Sequence, residues 1–197
     1  EPFSNLDVTL RAEVREQTLA LLKERHVTTL VVTHDPQEAM AIAERLWILY
    51  DGRVIQHGTP EDIYAHPRRP AIASLFGPVN VLAGRVEKGR VATSLGPVAA
   101  SGLAEGSRAQ VLIRPEGLLI RGPQEADDAA APATVVATRA LGPMCRLQLG
   151  VAGLDAPLEA LVPGGAHPRA GETVRVAVDM SHAFVFADEA PKVQETE

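Results

Sequence analysis

The chain has 197 residues, 46% of them apolar, with a formal net charge of −6 and a pI of about 5.5. Its basic residues are scattered, which argues against nucleic-acid binding, because a nucleic-acid footprint needs clustered Lys and Arg. A single cysteine, Cys145, excludes an internal disulfide framework. The sequence also lacks an apolar run near the roughly 20 residues that span a bilayer.

The first predicted element is a helix from Val8 to Arg25, in which apolar and charged side chains recur at helical spacing. It follows the polar stretch Glu1–Asp7, where Asp7 can cap the helix. This stretch has neither the basic region nor the apolar core of a signal peptide. Because the chain starts inside a motif and without Met, we expect it to be a fragment of a longer protein.

A buried strand is predicted next, over Thr28–Thr33, because a short run of β-prone apolar residues is typical of parallel sheets. Asp35, Pro36 and Glu38 then start a helix that ends near Glu44, in a pattern like a capping box. His34 stands at the carboxyl end of the strand, where open α/β sheets place ligand-facing groups. A loop histidine with a hydrogen-bonding role is the alternative from this pattern alone.

A β-hairpin follows, with strands Arg45–Tyr50 and Arg53–His57 around Asp51-Gly52, which is the strongest hairpin signal in the chain. Trp47 and Tyr50 lie on its first strand and are expected in the core.

Two short helices are predicted after the hairpin. The first starts at Thr59 and Pro60, with Asp62 closing a capping box, and ends at His66-Pro67. The second covers Ala71–Phe76.

From residue 78 onward the helical periodicity disappears. Short Val- and Leu-rich segments recur between Gly and Pro, without interleaved helices, which predicts a small antiparallel barrel or sandwich. The chain therefore reads as an α/β piece (1–77), an all-β domain (78–190) and a polar tail (191–197). The nine predicted segments are Val79–Val86, Arg90–Leu95, Ala109–Arg114, Leu118–Ile120, Thr134–Leu141, Arg146–Leu149, Leu158–Val162, Val174–Val178 and Ala183–Phe186.

Several short motifs match one family in order and spacing. The matching phrases are Glu1-Pro-Phe-Ser-Asn-Leu-Asp7, Thr29-Leu-Val-Val-Thr-His34-Asp35, Glu38-Ala-Met40, Asp51-Gly-Arg53, Gly58-Thr-Pro-Glu-Asp-Ile-Tyr64 and Leu112-Ile-Arg-Pro-Glu116. Together they resemble the ATP-binding subunit of an ABC importer of the iron(III), polyamine, sulfate or sugar type. The later β region resembles the transport-associated OB-type domain of these subunits. The resemblance implies an α/β fragment of a P-loop ATPase domain followed by an all-β OB-like barrel.

The resemblance also implies roles for individual residues. Glu1 matches the catalytic glutamate, and a carboxylate there can orient and deprotonate the attacking water. His34 matches the switch histidine that contacts the γ-phosphate. Ser4, Asn5, Leu6 and Asp7 match the D-loop, which crosses the dimer interface near the nucleotide.

The family's nucleotide cradle is missing from this sequence. No phosphate loop of the form G-x-x-x-x-G-K-[ST] is present, and neither are the Walker B aspartate, the Q-loop or the signature motif. We therefore expect this chain alone to be inactive and to hold no cofactor, while the complete subunit would bind ATP and Mg. Because the strands that flank Thr28–Thr33 are missing too, we expect residues 1–44 to be poorly ordered, rearranged or paired with another chain.

The resemblance further implies the partners of the complete subunit. It would couple ATP hydrolysis to solute uptake, with iron(III) as the first choice of solute. It would act as a homodimer on permease subunits at the cytoplasmic face of the membrane, and indirectly with a solute-binding protein. The alternative is a stand-alone regulatory β module that binds a small anion or a protein.

Three remaining features are expected to be structural. The six histidines show no metal-ligand spacing. Cys145 is expected to be a small core residue, because no base is placed beside it. Arg114-Pro115-Glu116 is expected to form a corner of the β domain, with Pro115 ending a strand.

Overall fold

The computed structural model describes residues 8–123, 130–165 and 167–188. The chain forms two compact units, residues 1–63 and 64–197. The boundary that the sequence suggests between residues 77 and 78 stays a prediction. The polar tail at 191–197 lies outside the described residues.

Among its described residues, the first unit contains two complete helices and a hairpin. Helix α1 covers Val8–Glu24, and helix α2 covers Pro36–Ile42. Strands β1 (Leu46–Tyr50) and β2 (Arg53–Gly58) pair antiparallel. The turn residues between them, Asp51 and Gly52, have φ of 46° and 67°. Two successive positive φ angles are what a type I′ turn requires, so the predicted hairpin is confirmed.

The strand predicted over Thr28–Thr33 is wrong for this structure, because these residues form no strand. The side chains of Leu30 and Val32 are 83% and 75% exposed. An apolar run becomes a buried strand only when neighbouring strands pair with it and layers cover its faces. In the described part of the chain no strand does so. For these six residues the structure agrees with the expectation of a rearranged segment.

The expected core positions of Trp47 and Tyr50 are also wrong. The two side chains are 49% and 58% exposed, while Leu46 on the same strand is buried. Leu49 and Val54, which face each other across the hairpin, are exposed as well. A sheet of two strands cannot bury both of its faces, so the period-2 alternation turns Trp47 toward solvent.

Helices α3 (Pro60–Ala65) and α4 (Pro70–Leu75) follow the hairpin, as predicted. The hydroxyl of Thr59 accepts a hydrogen bond from the Asp62 backbone N–H over 3.1 Å, which confirms Thr59 as the cap of α3. The chain passes from the first unit into the second inside α3.

Ten strands and two 3₁₀ helices follow in the described residues of the second unit. All nine predicted β segments overlap strands, and β5 is the one that was not predicted. The strands are β3 (Asn80–Glu87), β4 (Arg90–Thr93), β5 (Gly96–Ala99), β6 (Arg108–Ile113), β7 (Leu118–Arg121), β8 (Ala131–Ala140), β9 (Met144–Val151), β10 (Leu158–Pro163), β11 (Thr173–Val178) and β12 (Ala183–Ala187); the 3₁₀ helices are Pro115–Gly117 and Met180–His182.

The ten strands form two antiparallel five-stranded sheets, in the orders β10-β9-β8-β11-β7 and β12-β6-β3-β4-β5. The two sheets share one apolar core, to which both contribute buried Val and Leu side chains. Cys145 is completely buried in this core, as predicted. The second unit thus has the all-β, OB-like architecture that the sequence indicates.

Asn80 joins the two sheets through its side chain. Its amide nitrogen donates to the Glu159 carbonyl over 2.8 Å, and its amide oxygen accepts from the Glu159 N–H over 2.7 Å. The same nitrogen lies 3.3 Å from the Ile113 carbonyl. The Asn80 side chain thereby connects β3 to β10 by two hydrogen bonds to backbone groups, although the two strands belong to different sheets.

Candidate functional site

The structure describes one of the six residues for which the sequence predicts a catalytic or interface role. Glu1, Ser4, Asn5, Leu6 and Asp7 lie outside the described residues. His34 lies in an exposed bend that directly precedes α2. The catalytic roles expected for Glu1 and His34 therefore stay predictions.

The turn that carries His34 is fixed on both sides by hydrogen bonds. Asp35 is the N-cap of α2, and its Oδ1 accepts from the backbone N–H groups of Gln37 and Glu38 over 2.9 and 3.2 Å. On the other side, the Thr33 hydroxyl accepts from the Asp35 N–H over 3.1 Å. These contacts satisfy N–H groups that a helix start leaves without intrahelical partners.

This geometry presents an imidazole beside the N-terminal end of a helix. A neutral imidazole carries one donor and one acceptor nitrogen, so it can contact a phosphate oxygen and a second group together. Hydrogen bonds of Thr33 and Asp35 brace the backbone on both sides of His34. The arrangement suits a phosphate-sensing residue and equally suits a loop histidine with a hydrogen-bonding role.

A second candidate is a groove of about 820 Å³ between β7 and β10 of the second unit. Its walls are mainly apolar, with Leu119, Ile120 and Leu161 among the lining residues. Four ionisable side chains also line it, and they mix acid with base: Glu116, Arg121, His167 and Glu172. A small anion would meet two carboxylates there, so the groove does not have the chemistry of an oxyanion site.

The Arg114-Pro115-Glu116 corner lies at one end of this groove. Strand β6 ends at Ile113 and Pro115 opens a 3₁₀ helix, which confirms the predicted corner. Sequence reasoning missed that Arg114 is 1% exposed. The available signal was a charged residue inside the apolar phrase Leu112-Ile-Arg-Pro, since arginine is rarely buried unless it is paired.

Asp179, Ser181 and His182 lie close together but do not form a catalytic triad. The Ser181 hydroxyl and the Asp179 carboxylate approach the same ring atom of His182, Nδ1, at 3.0 and 3.1 Å. A triad needs the hydroxyl on one ring nitrogen and the carboxylate on the other. Asp179 instead caps the 3₁₀ helix Met180–His182 through the Ser181 N–H. Across the described residues, no group of three His, Cys, Asp or Glu could hold a metal ion.

Comparison with known proteins shows what this chain is similar to. Residues 111–186 match the TOBE domain family. The chain is 35% identical over 190 residues to "Fe(3+) ions import ATP-binding protein FbpC" of Pseudomonas fluorescens, covering 94% of this chain and 53% of that protein.

Two further relatives carry different solutes in their names. One is "Sulfate/thiosulfate import ATP-binding protein CysA" of Bacillus cereus, 35% identical over 81% of this chain and 45% of that protein. The other is "Maltose/maltodextrin import ATP-binding protein MalK" of Aliivibrio fischeri, 32% identical over 98% of this chain and 55% of that protein. The chain thus spans about half the length of the relatives it matches.

A solved structure of the cytoplasmic molybdate-binding protein ModG covers 55% of this chain and 95% of its own, with 14% identity and a TM-score of 0.43. This likeness is too weak to carry an argument about fold or ligand. In the described part of the chain, no helix is long and apolar enough to cross a membrane. The resemblance drawn from the motifs is confirmed by the TOBE domain and by the relatives, which are ATP-binding subunits of importers.

Proposed function

We propose that this chain is the TOBE-containing C-terminal portion of an ABC importer ATP-binding subunit, and that the complete protein couples ATP hydrolysis to solute uptake. The observation that carries the proposal is the extent of the similarity. It reaches beyond the TOBE domain to cover 94% and 98% of the chain in the FbpC and MalK relatives. A shared β module alone would not extend the match across His34 and the hairpin.

In this proposal Glu1 is the general base for the attacking water, and His34 contacts the γ-phosphate. Replacing His34 by Ala in the complete subunit should lower the ATPase rate about 100-fold or more, the range for a group that positions or transfers a proton. His57→Ala is the matched control, because His57 is an exposed histidine on the hairpin of the same unit. Equal loss of rate in both variants would contradict the role of His34.

The 197-residue chain by itself is proposed to be inactive. ATP and Mg²⁺ need a phosphate loop and a Walker B aspartate, and the sequence contains neither. The test is the release of phosphate from Mg-ATP by the purified chain. Turnover above the buffer rate that disappears in His34→Ala would overturn this proposal.

The complete protein is proposed to act as a homodimer on permease subunits, peripherally at the cytoplasmic face of the membrane. Reading the DNA upstream of Glu1 is the direct test. The proposal requires an in-frame segment that encodes a phosphate loop and a signature motif, and a neighbouring permease gene would support it. A start codon immediately before Glu1 would contradict it.

Iron(III) is the proposed solute, supported by the FbpC relatives, whose names specify Fe(3+). Sulfate and maltose relatives match with similar identity, so the solute must be tested separately from the ATPase. Deleting the gene should reduce the uptake of radioactive iron(III) and leave the uptake of sulfate and maltose unchanged. The opposite pattern would reassign the solute while the importer proposal stands.

The competing proposal is a regulatory module that binds a small anion or a protein. The groove between β7 and β10 is the surface it would use. Calorimetry of the chain with sulfate, phosphate and molybdate separates the two proposals. We expect no heat of binding, because Glu116 and Glu172 line the groove. Saturable binding that is lost in Arg121→Gln would favour the module.

A further inference from the structure

Arg114 has the largest fully buried side chain in the described part of the protein. A guanidinium is costly to bury unless its donors are satisfied and its charge is compensated. The groups that contact Arg114 therefore show which part of the structure its burial stabilises.

The guanidinium of Arg114 reaches the ends of two helices. Its Nη2 donates to the backbone carbonyl of Tyr64 over 3.0 Å, and its Nη1 donates to that of Ala73 over 3.2 Å. Tyr64 is in the last turn of α3, and Ala73 is in the last turn of α4. The last four carbonyls of a helix have no intrahelical partner, and a cation there favours the helix dipole.

Neither helix provides such a cation itself. Both α3 and α4 are six residues long and lack a basic residue in the last turn. Helices this short do not persist in water without tertiary contacts. Arg114 thus supplies, from the end of strand β6, the C-terminal charge that both helices lack.

Aromatic rings complete the site. The guanidinium carbon lies 3.6 Å from the centroid of the Tyr64 ring and 5.3 Å from that of Phe184 on β12. The Tyr64 ring meets the Phe76 ring edge to face, with centroids 6.1 Å apart. Stacking on a ring together with a forked pair of hydrogen bonds is a task for arginine rather than lysine.

The Tyr64 hydroxyl donates a hydrogen bond to the Glu116 carboxylate, two residues after Arg114. The pKa of Tyr64 is raised to about 12, mainly by burial and next by the hydrogen bond to Glu116. Tyr64 therefore stays neutral and keeps donating throughout the physiological range.

We propose that Arg114, Tyr64 and Glu116 form a latch, in which one buried guanidinium caps α3 and α4 together and holds them folded on the β sheet. When the latch opens, both helices lose their shared cap and residues 64–76 unfold. The three latch residues all lie within the second unit. This proposal does not depend on the transport function.

Trypsin tests the latch at neutral pH, because Arg68 is an exposed cleavage site between α3 and α4. In Arg114→Met we expect cleavage after Arg68 to accelerate about tenfold or more, while cleavage after Lys88, in the β3–β4 turn, keeps its wild-type rate. The cleavage rate of Arg114→Lys after Arg68 should fall between those of the wild type and Arg114→Met, because lysine keeps the charge but cannot donate both hydrogen bonds in the same geometry. Arg108→Met is the matched control, since Arg108 is an exposed arginine on β6, the strand that directly precedes Arg114. Unchanged cleavage after Arg68 in Arg114→Met would overturn the proposal.

Faster cleavage after both Arg68 and Lys88 would mean that Arg114→Met unfolds the sheet. In that case amide hydrogen exchange of the wild-type protein tests the latch instead. The latch predicts that the amides of Ile72 and Ala73 exchange together through an opening that leaves the β6 amides protected. Exchange of α4 only with global unfolding would refute it.

Ultraviolet titration gives an independent readout. Tyr50→Phe leaves Tyr64 as the single tyrosine, and circular dichroism in parallel identifies the pH range in which the sheet is intact. Within that range, an open latch in Arg114→Met lowers the ionisation midpoint of Tyr64 from about 12 toward the ordinary value near ~10. A closed structure that merely lost the cation would raise the midpoint, because the charge of Arg114 lowers the pKa of Tyr64. A raised midpoint therefore contradicts the latch.

Discussion

The hydroxyl of Thr33 donates a hydrogen bond of 2.6 Å to the carboxylate of Glu38, across the turn that carries His34. The sequence predicts a capping box in which Glu38 pairs with Asp35. In the structure Glu38 instead bonds the Thr33 hydroxyl, which in turn accepts from the Asp35 N–H. The Thr33 hydroxyl therefore links the Asp35 N–H to the Glu38 carboxylate, which in a capping box would bond each other directly. His34 lies within the turn that these hydrogen bonds close.

The contribution of the Asp35 cap to the stability of α2 should be measurable by replacing Asp35. In Asp35→Ala we expect α2 to lose about 1 kcal/mol of local stability, the usual cost of an N-cap carboxylate. The measurement is amide exchange at Ala39 and Ala43, whose N–H groups bond the carbonyls of Asp35 and Ala39. Glu44→Ala is the control, because its 3.6 Å ion pair with Lys23 is exposed and contributes little. Equal protection of Ala39 in wild type and Asp35→Ala would contradict the capping role.

The hydrogen bonds of Asn80 to Glu159 should contribute more free energy to the stability of the second unit than the Asp35 cap contributes to α2. Asn80→Ala removes a buried amide and leaves the N–H and C=O of Glu159 without that partner. We expect a loss of about 2–3 kcal/mol, since each buried group left unsatisfied costs roughly 1–3 kcal/mol. Urea unfolding measures it. Gln148→Ala is the control, because Gln148 is an exposed amide in register with Glu159 on β9. If both variants unfold at the same urea concentration, the bridge has no such role.

Sequence reasoning found the strands of the second unit because each is bounded by local signals. Gly and Pro mark the ends of the apolar runs, and the pairing partners are all present in the chain. Strand β5 escaped because it is four residues long and contains Pro97, which is a mark against a strand. The strand predicted over Thr28–Thr33 was wrong for the opposite reason. Its local pattern is a good strand pattern, but a strand also requires neighbours, which no local window reveals.

The Arg114 cluster shows a second limit of sequence reasoning. Pro115 predicts the corner, because proline ends a strand locally. The carbonyls that Arg114 contacts lie 41 and 50 residues earlier in the chain. No spacing rule connects a strand end to two helix ends at that distance. What the sequence does offer is the anomaly itself, a charged side chain between Ile113 and Pro115 in a segment that is otherwise apolar.

Cys145 should report the global unfolding of the second unit. Its side chain is completely buried in the core that both sheets share. We therefore expect a thiol reagent such as DTNB to label it only when the sheets separate, so that the labelling rate rises with urea in step with unfolding. Asn80→Ala should accelerate labelling in native buffer. Stoichiometric labelling of the wild type within minutes would show that the core around Cys145 opens locally.

The carboxylate of Asp179 should have a lowered pKa that depends on Ser181. Its Oδ1 accepts from the Ser181 hydroxyl over 2.7 Å and from the Ser181 N–H over 3.0 Å. The hydroxyl hydrogen bond is the main cause that lowers the pKa of Asp179 below 3.8, and His182 adds to it. Ser181→Ala should therefore raise the pKa of Asp179 toward 3.8, as carboxyl-carbon NMR would measure.

The lowered pKa also fixes the sign of the pH effect on folding. A carboxyl whose folded pKa is depressed stabilises the fold above its unfolded pKa, and this stabilisation is lost as pH falls through the folded pKa. The difference between wild type and Ser181→Ala should therefore be constant at neutral pH and shrink below pH 3.8. Ser101→Ala, an exposed serine in another turn, should leave the Asp179 titration unchanged. An Asp179 curve that is identical in Ser181→Ala and wild type would mean that the hydroxyl does not stabilise the carboxylate.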